Sequence, residues 1–89
     1  MLERQIEITN KKGLHARAAA KLINLAHSFE SEILVARDDN EVNGKSILGL
    51  LTLAAHKGSW VTIRVSGTDE QDALDRISRL IESKFEEAE

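Results

Sequence analysis

The sequence predicts an α+β protein in which four strands form one mainly antiparallel sheet and three helices cover one face. Segments 2–9 and 60–65 alternate apolar and polar side chains, which is typical of half-buried strands. Segments 16–28 and 73–85 carry apolar residues at helical spacing. The predicted order is β-α-β-β-α-β-α. Because strands with one polar face favour an antiparallel sheet, we expect the helices on the other face.

The first strand and first helix follow from these two periods. Apolar residues of one parity predict a strand from about residue 2 to 9, followed by a loop over 10–13. The helix is predicted over Ala16–Ser28, where the apolar positions are Ala19, Leu22, Ile23 and Ala26, with Phe29 just beyond.

The middle of the chain predicts a hairpin and a short helix. Glu32–Arg37 is predicted as a strand, residues 38–40 supply a turn, and Glu41–Asn43 return as a brief third strand. A short helix is predicted from Ile47 to about Ala55, before Lys57 and Gly58 break the chain.

The last strand and helix have the clearest patterns. Val61, Ile63 and Val65 alternate with polar neighbours, which predicts the fourth strand. Thr68 and Gln71 have the spacing of a capping box at the start of the last helix. The apolar positions of that helix are Ala73, Leu74, Ile77, Leu80, Ile81 and Phe85, and residues 86–89 are expected to form a frayed, solvated end.

Composition limits the classes of function. The 89 residues predict a single domain over 1–89, and the absence of cysteine excludes disulfides and thiolate metal sites. A net charge of −3 with 3% aromatic residues argues against a nucleic-acid surface. No signal segment or membrane-length apolar run is present, which predicts a cytoplasmic protein without membrane insertion.

The junction between the first strand and first helix carries the candidate chemistry. It reads Gly13, Leu14, His15, Ala16, Arg17. A neutral imidazole is a competent nucleophile near neutral pH, and Arg17 can direct its forked donors onto an anion. The free N–H groups of residues 16–18 and the helix dipole also favour an anion. The junction therefore predicts a site at which His15 could accept a phosphoryl group.

A simpler interpretation is that His15 caps the helix or lies in solvent. His27 and His56 belong to other elements, so no metal site is expected around His15, and no second catalytic group is evident. Without a base or a metal, His15 is predicted to accept a group and pass it on.

The junction resembles the phosphohistidine motif of the histidine-containing phosphocarrier (HPr) family of the bacterial phosphotransferase system. A second motif, which runs from Asn43 through Gly44, Lys45 and Ser46 to Leu51, resembles that family too. Chain length and element order are also similar, so the resemblance covers essentially the whole chain. Ala18 departs from the proline that many members have, which leaves one more N–H free at the helix start.

The resemblance implies an open-faced β-sandwich and a carrier rather than an enzyme. In this family the histidine, here His15, accepts a phosphoryl group on Nδ1 from phospho-enzyme I and passes it to a IIA domain. Arg17 corresponds to the arginine that stabilises the transferring group, and Ala16 is expected to help bind the phosphate. No cofactor is implied, and a monomer is expected.

The resemblance also implies regulation and a docking surface. Ser46 is expected to cap the short helix and to be a phosphorylation site for HPr kinase/phosphorylase. Leu50, Leu53 and Ala54 are expected to face the sheet. The partner-binding residues are expected to be Ala16, Arg17, Ala20, Ile47, Leu48 and Leu51.

Two other classes stay open at the level of sequence. One is a small acylphosphatase-like enzyme that uses arginine to hold phosphate, and the other is a non-catalytic regulatory ligand-binding module of the ferredoxin-like type. Turnover of acetyl phosphate would favour the former, and an incidental His15 would favour the latter.

Overall fold

The computed structural model describes residues 1–87. The predicted order β-α-β-β-α-β-α is confirmed, with one 3₁₀ turn added at the end. The elements are β1 (Leu2–Glu7), α1 (Ala16–Ala26), β2 (Glu32–Arg37), β3 (Asn40–Asn43), α2 (Ile47–Thr52), β4 (Trp60–Ser66), α3 (Glu70–Glu82) and the 3₁₀ turn (Lys84–Glu86).

The four strands form one antiparallel sheet in the order β1-β4-β2-β3. In the register, Ile6 lies opposite Val61, and Val35 lies opposite Ile63. All four side chains are buried, because the sheet presents one parity of each strand to the helices. The prediction of helices on a single sheet face is therefore confirmed, as is the open-faced architecture.

The opposite face of the sheet is polar and uncovered. Arg64 in the central strand forms ion pairs with Glu3 on β1 and Glu41 on β3, and these contacts raise the pKa of the guanidinium above its ordinary value. Trp60 lies at the start of the same strand with 59% of its surface exposed. This face therefore contributes little to the core, which lies between the sheet and the helices.

Helix α2 is shorter than the pattern predicted. It ends at Thr52 rather than near Ala55, because Ala54 adopts a left-handed conformation with φ of 51°. Arg37 Nη1 donates to the carbonyls of Leu53 and Ala54 at 2.9 and 3.2 Å, which supplies partners at the helix C-terminus. Ala54 is exposed rather than packed on the sheet, so that prediction is wrong, whereas Ala55 is buried.

Two other helix boundaries also differ. Helix α1 ends at Ala26 instead of Ser28, and His27 occupies its C-cap. The capping box predicted for Thr68 and Gln71 is wrong, because α3 begins at Glu70. The Glu70 carboxylate accepts from the Gly67 N–H at 3.1 Å, so one hydrogen bond of the capping-box type joins residues 67 and 70 instead of 68 and 71.

Asp69 joins the start of α3 to the start of β2. Its carboxylate accepts from the backbone N–H groups of Glu30 and Ser31 at 2.9 and 3.0 Å, and from the Ser31 hydroxyl. The Ser31 hydroxyl, followed by the Glu30 N–H, lowers the pKa of Asp69 below its ordinary value of 3.8. The charged carboxylate therefore stabilises the folded chain.

Acid should remove this stabilisation. Because the pKa of Asp69 is lower in the folded state, its contribution is fully present above pH 3.8 and is lost as the pH falls through the folded-state value. We expect the urea midpoint of the native chain to exceed that of Asp69→Asn near neutral pH and to approach it in stronger acid. A difference between the two midpoints that is constant with pH would contradict this role.

The C-terminal end folds back onto the domain instead of continuing α3. The helix stops at Glu82, and residues 84–86 turn with positive φ values of 60°, 56° and 62°. Phe85 is fully buried as predicted, although it reaches the core from this turn rather than from a helix. The prediction of a frayed end is wrong for Glu87, which is largely covered, while residues 88–89 lie outside the described residues.

Candidate functional site

The loop before α1 is fixed tightly against the segment after α2. Gly13 has φ of +67°, and a Cβ on it would lie 2.6 Å from the Ala55 carbonyl oxygen. The Leu14 N–H donates to that oxygen at 2.7 Å. Both the left-handed backbone and the close approach therefore require glycine, and together they set where α1 begins.

His15 occupies the N-cap of α1. Its backbone is extended, with φ of −82° and ψ of −178°, and its carbonyl accepts from the Ala19 N–H at 2.8 Å. Within the described part of the chain, no side chain caps this helix start, and the N–H groups of residues 16–18 have no acceptor. These donors and the helix dipole create a site that favours an anion beside the imidazole.

The His15 ring is half-buried between two acceptors. Nδ1 lies 3.0 Å from the Gly13 carbonyl oxygen, and Nε2 lies 3.2 Å from Glu87 Oε2. Its side chain is 27% exposed, so the ring is held in place yet remains reachable by a partner.

Arg17 lies on the first turn of α1 with its side chain in solvent. It has neither an ion pair nor a hydrogen bond with any of residues 1–87, which leaves all five guanidinium donors available to an incoming anion. Ala16 is exposed beside it and Ala20 is half-buried one turn further along. The predicted residues Ala16, Arg17 and Ala20 are thus brought to one end of α1.

Helices α1 and α2 run in opposite directions. Lys45, just before α2, donates through Nζ to the Phe29 carbonyl beyond the end of α1 at 2.9 Å, while Ala55 after α2 contacts Leu14 before α1. The C-terminal end of α2 therefore lies near His15, and its N-terminal end lies far along α1.

The exposed side of α2 is apolar. Leu48, Ile47 and Leu51 are 74%, 42% and 38% exposed, whereas Leu50 and Leu53 are buried. The predicted division of this helix into a packed side and an exposed side is confirmed for these five residues. We refer to Ile47, Leu48 and Leu51 as the apolar patch.

Ser46 caps α2 as predicted, since its Oγ accepts from the Gly49 N–H at 3.1 Å. The other two histidines, His27 and His56, are exposed on other elements. Residues 1–87 contain no group of three or more His, Cys, Asp or Glu side chains that could hold a metal ion.

Two residues at His15 were missed by the sequence reasoning. Asn10 is completely buried and donates through Nδ2 to the Gly13 carbonyl and to Glu87 Oε1, at 2.8 and 3.0 Å. The sequence pattern places Asn10 in an ordinary loop and Glu87 in a solvated end. The available signal in the sequence was that Phe85 belongs to the apolar pattern of the last helix. A buried Phe85 limits where Glu87, two residues later, can lie.

His15 lies at a helix start that no described side chain caps, on a small open-faced α+β sandwich. This arrangement defines a protein suited to carrying an anionic group. Residues 2–83 match the family described as the PTS HPr component phosphorylation site. The chain belongs to this family, the HPr phosphocarrier proteins of the phosphotransferase system.

Individual relatives are similar to this chain over all or nearly all of its length. The chain is 48% identical to the phosphocarrier protein HPr of Cupriavidus necator over 89 residues, which is 100% of both chains. A crystal structure of HPr from Thermoanaerobacter tengcongensis covers 100% of both chains with 45% identity and a TM-score of 0.96. A second structure, an HPr dimer from that organism, covers 98% of this chain and 100% of that chain, with 46% identity and a TM-score of 0.78.

Family membership resolves the classes that the sequence left open. The protein is a phosphocarrier of the phosphotransferase system and interacts with enzymes of that system, rather than being an acylphosphatase-like enzyme or a ligand-binding regulatory module. No helix formed by residues 1–87 is long and apolar enough to cross a membrane.

Proposed function

We propose that His15 is the phosphoryl-carrying residue, which accepts the group on Nδ1 from phospho-enzyme I and passes it to a IIA domain. The observation that carries this proposal is the position of His15 at the N-cap of α1, beside three backbone N–H groups without acceptors in the described residues. These groups supply hydrogen bonds to the charge that arrives with the phosphoryl group.

Arg17 and Ala16 complete the phosphate site in this proposal. Phosphoryl transfer depends on positioning and charge stabilisation more than on covalent help from the protein. Arg17 contributes a fixed positive charge with two parallel donors, and Ala16 contributes its backbone N–H. The site needs no base of its own, because the imidazole attacks as a neutral ring and the rest of the machinery belongs to the partner.

The test is incubation of the chain with phosphoenolpyruvate and enzyme I. We expect a gain in mass of one phosphate that is labile in acid and stable in base, since this pattern distinguishes a phosphoramidate from a phosphate ester. Subsequent addition of a IIA domain should remove the mass. A chain that gains no phosphate, or gains an acid-stable one, would contradict the proposal.

The apolar patch is proposed as the docking surface for enzyme I and IIA domains, together with Ala16, Arg17 and Ala20 at the start of α1. The supporting observation is that three large apolar side chains project from α2 although α2 already packs Leu50 and Leu53 into the core. Because α2 ends near His15, a partner seated on Leu51 can also reach the imidazole.

Leu48→Asp should weaken docking without weakening the fold, because Leu48 is 74% exposed. We expect transfer from phospho-enzyme I to lose about tenfold or more in kcat/KM, the size typical of a central interface residue. Trp60→Ala is the matched control, since it removes a large exposed side chain from the opposite face of the sheet. Equal kinetics for the two variants would contradict the assignment of the patch.

Ser46 is proposed as a regulatory phosphorylation site for HPr kinase/phosphorylase. A phosphate on its Oγ would introduce about −1.5 to −2 charges at the start of α2, beside Ile47 and Leu48, and would repel an acidic partner there. Incubation with that kinase and ATP should give an acid-stable phosphate that is absent from Ser46→Ala; an equal phosphate on the variant would place the modification elsewhere.

We also propose that the chain works in the cytoplasm as a single-domain monomer over residues 1–89. Because a relative from Thermoanaerobacter tengcongensis is described as an HPr dimer, sedimentation equilibrium of the purified chain is the direct check. A mass of 9.9 kDa is expected, and a doubled mass would contradict the monomer.

A further inference from the structure

The segment after α3 packs into the core, forms a hydrogen bond with α1, and places Glu87 next to His15. Phe85 is fully buried, and its carbonyl accepts from Lys21 Nζ on α1 at 2.6 Å. Two residues later, the Glu87 carboxylate lies at the N-terminus of α1, where its side chain is only 17% exposed. The position of this carboxylate is therefore set by packing and by a hydrogen bond, and not only by its own attraction to the imidazole.

The two oxygens of Glu87 have different partners. Oε1 accepts from Asn10 Nδ2 at 3.0 Å, and Oε2 lies 3.2 Å from His15 Nε2. The Asn10 amide is completely buried, and the same Nδ2 donates to the Gly13 carbonyl at 2.8 Å. Because both partners of Nδ2 are acceptors, the amide cannot be turned over, and Glu87 must present an acceptor to it.

The contacts of the imidazole determine which nitrogen keeps its hydrogen. Nδ1 faces the neutral carbonyl of Gly13, and Nε2 faces a carboxylate. A ring with two protons satisfies both acceptors. When one proton leaves, the hydrogen that faces the carboxylate is retained, because a hydrogen bond to a charged acceptor is about twice as strong as one to a neutral acceptor. The lone pair is then on Nδ1.

We propose that Glu87 is a positioning residue for phosphoryl transfer, which holds neutral His15 with its hydrogen on Nε2 so that Nδ1 is the nucleophile. The inference rests on the proposed function, in which Nδ1 of His15 accepts the group. With Nδ1 unprotonated, its lone pair and the Gly13 carbonyl oxygen 3.0 Å away repel each other, so this carbonyl forms no hydrogen bond that competes with an incoming donor for Nδ1.

The phosphoryl transfer step then needs no base, because no proton leaves the imidazole. A bond forms between Nδ1 and phosphorus while the bond between phosphorus and its leaving atom on the donor breaks, and the electron pair stays with that atom. The ring gains one positive charge and keeps its Nε2 hydrogen. The Glu87 carboxylate, 3.2 Å from Nε2, stabilises that charge, and onward transfer to the next acceptor reverses the step.

Glu87→Gln is the sharpest test because it preserves the size of the side chain and changes the group that faces His15 Nε2 from a hydrogen-bond acceptor to a donor. Its carbonyl oxygen must face Asn10 Nδ2, so its amide N–H₂ faces His15 Nε2 and requires that nitrogen to accept. The ring hydrogen then moves to Nδ1, where the Gly13 carbonyl receives it. Glu87→Ala removes the carboxylate and leaves the Gly13 carbonyl as the acceptor at Nδ1, so it also favours hydrogen on Nδ1. It adds no donor that requires Nε2 to accept, and is therefore expected to be the milder change.

The matched control is Glu86→Gln, which removes the same charge from an exposed neighbour in the same segment. The first readout is the pair of ring ¹⁵N chemical shifts of His15 in the free protein, at a pH where the ring is neutral. We expect hydrogen on Nε2 in the native chain and in Glu86→Gln, and on Nδ1 in Glu87→Gln. A purely structural role for Glu87 would not produce this exchange.

The second readout is the rate of phosphoryl uptake from phospho-enzyme I. Glu87→Gln should lose on the order of 10- to 100-fold, as is usual for residues that orient a functional histidine. Glu87→Ala should lose less, and Glu86→Gln should match the native chain. Native tautomer or native rate in Glu87→Gln would overturn the positioning role, whereas absence of uptake by the native chain would overturn the proposed function itself.

Discussion

Replacement of His15 by alanine is expected to abolish phosphoryl uptake from phospho-enzyme I. The change removes the only atoms proposed to accept the group, and the first turn of α1 offers N–H donors but no second nucleophile. The measurement is the mass of the protein after incubation with phosphoenolpyruvate and enzyme I. The fold should persist, because the His15 side chain does not cap the helix and is partly exposed.

His27→Ala and His56→Ala are the matched controls for this prediction. Both residues are exposed histidines, one at the end of α1 and the other beyond α2. Each variant should take up one phosphate as the native chain does. Acid-labile phosphate on His15→Ala, or its loss in either control, would mean that another histidine carries the group.

Arg17→Ala is expected to slow transfer from phospho-enzyme I by about 10²- to 10³-fold, which corresponds to about 3 to 4 kcal/mol of transition-state stabilisation. The guanidinium is the fixed cation nearest to His15 along the chain, and its donors are not engaged by residues 1–87. Rapid-quench kinetics of phosphoryl uptake measure the effect, while thermal unfolding should show little change because the side chain is exposed.

Arg17→Lys separates charge from geometry. Lysine keeps the positive charge but loses the planar fork, so its rate should lie between those of the native chain and Arg17→Ala. If Arg17→Ala transfers at the native rate, stabilisation of the phosphoryl group must come from the helix N-terminus or from the partner.

The element order and most of the core could be predicted from the sequence. A strand or helix that is buried on one side must carry apolar residues at the regular spacing of that element. Val61, Ile63 and Val65 could only be buried together on one face of β4, and Ile77 and Ile81 on one face of α3. Element ends depend on tertiary partners instead. The end of α2 is determined by the left-handed Ala54 and by carbonyl contacts from Arg37, which lies in a distant strand.

The start of α3 shows the same limit. Thr68 and Gln71 have the spacing of a capping box, yet Asp69 is engaged by Glu30 and Ser31 and the helix begins at Glu70. Local spacing carries no information about that contact, since its partners are 38 and 39 residues away.

At the site, the sequence predicted that His15 and Arg17 lie at the start of α1 and that Ser46 caps α2, because each position follows from a local helix-start pattern. It missed Asn10 and Glu87. These two residues are 77 positions apart and meet only because Phe85 is buried and the chain turns back after α3. Side chains that orient a functional residue from another part of the chain leave no local pattern to detect.

The atom proposed to carry the phosphoryl group is Nδ1 of His15. The most direct measurement is the ¹⁵N spectrum of the imidazole ring in the ¹⁵N-labelled phosphoprotein, in which the nitrogen bonded to phosphorus is split by ³¹P. We expect splitting of the Nδ1 resonance of His15 and a hydrogen retained on Nε2. Splitting at Nε2, or an unsplit His15 ring in a protein that has gained phosphate, would contradict it.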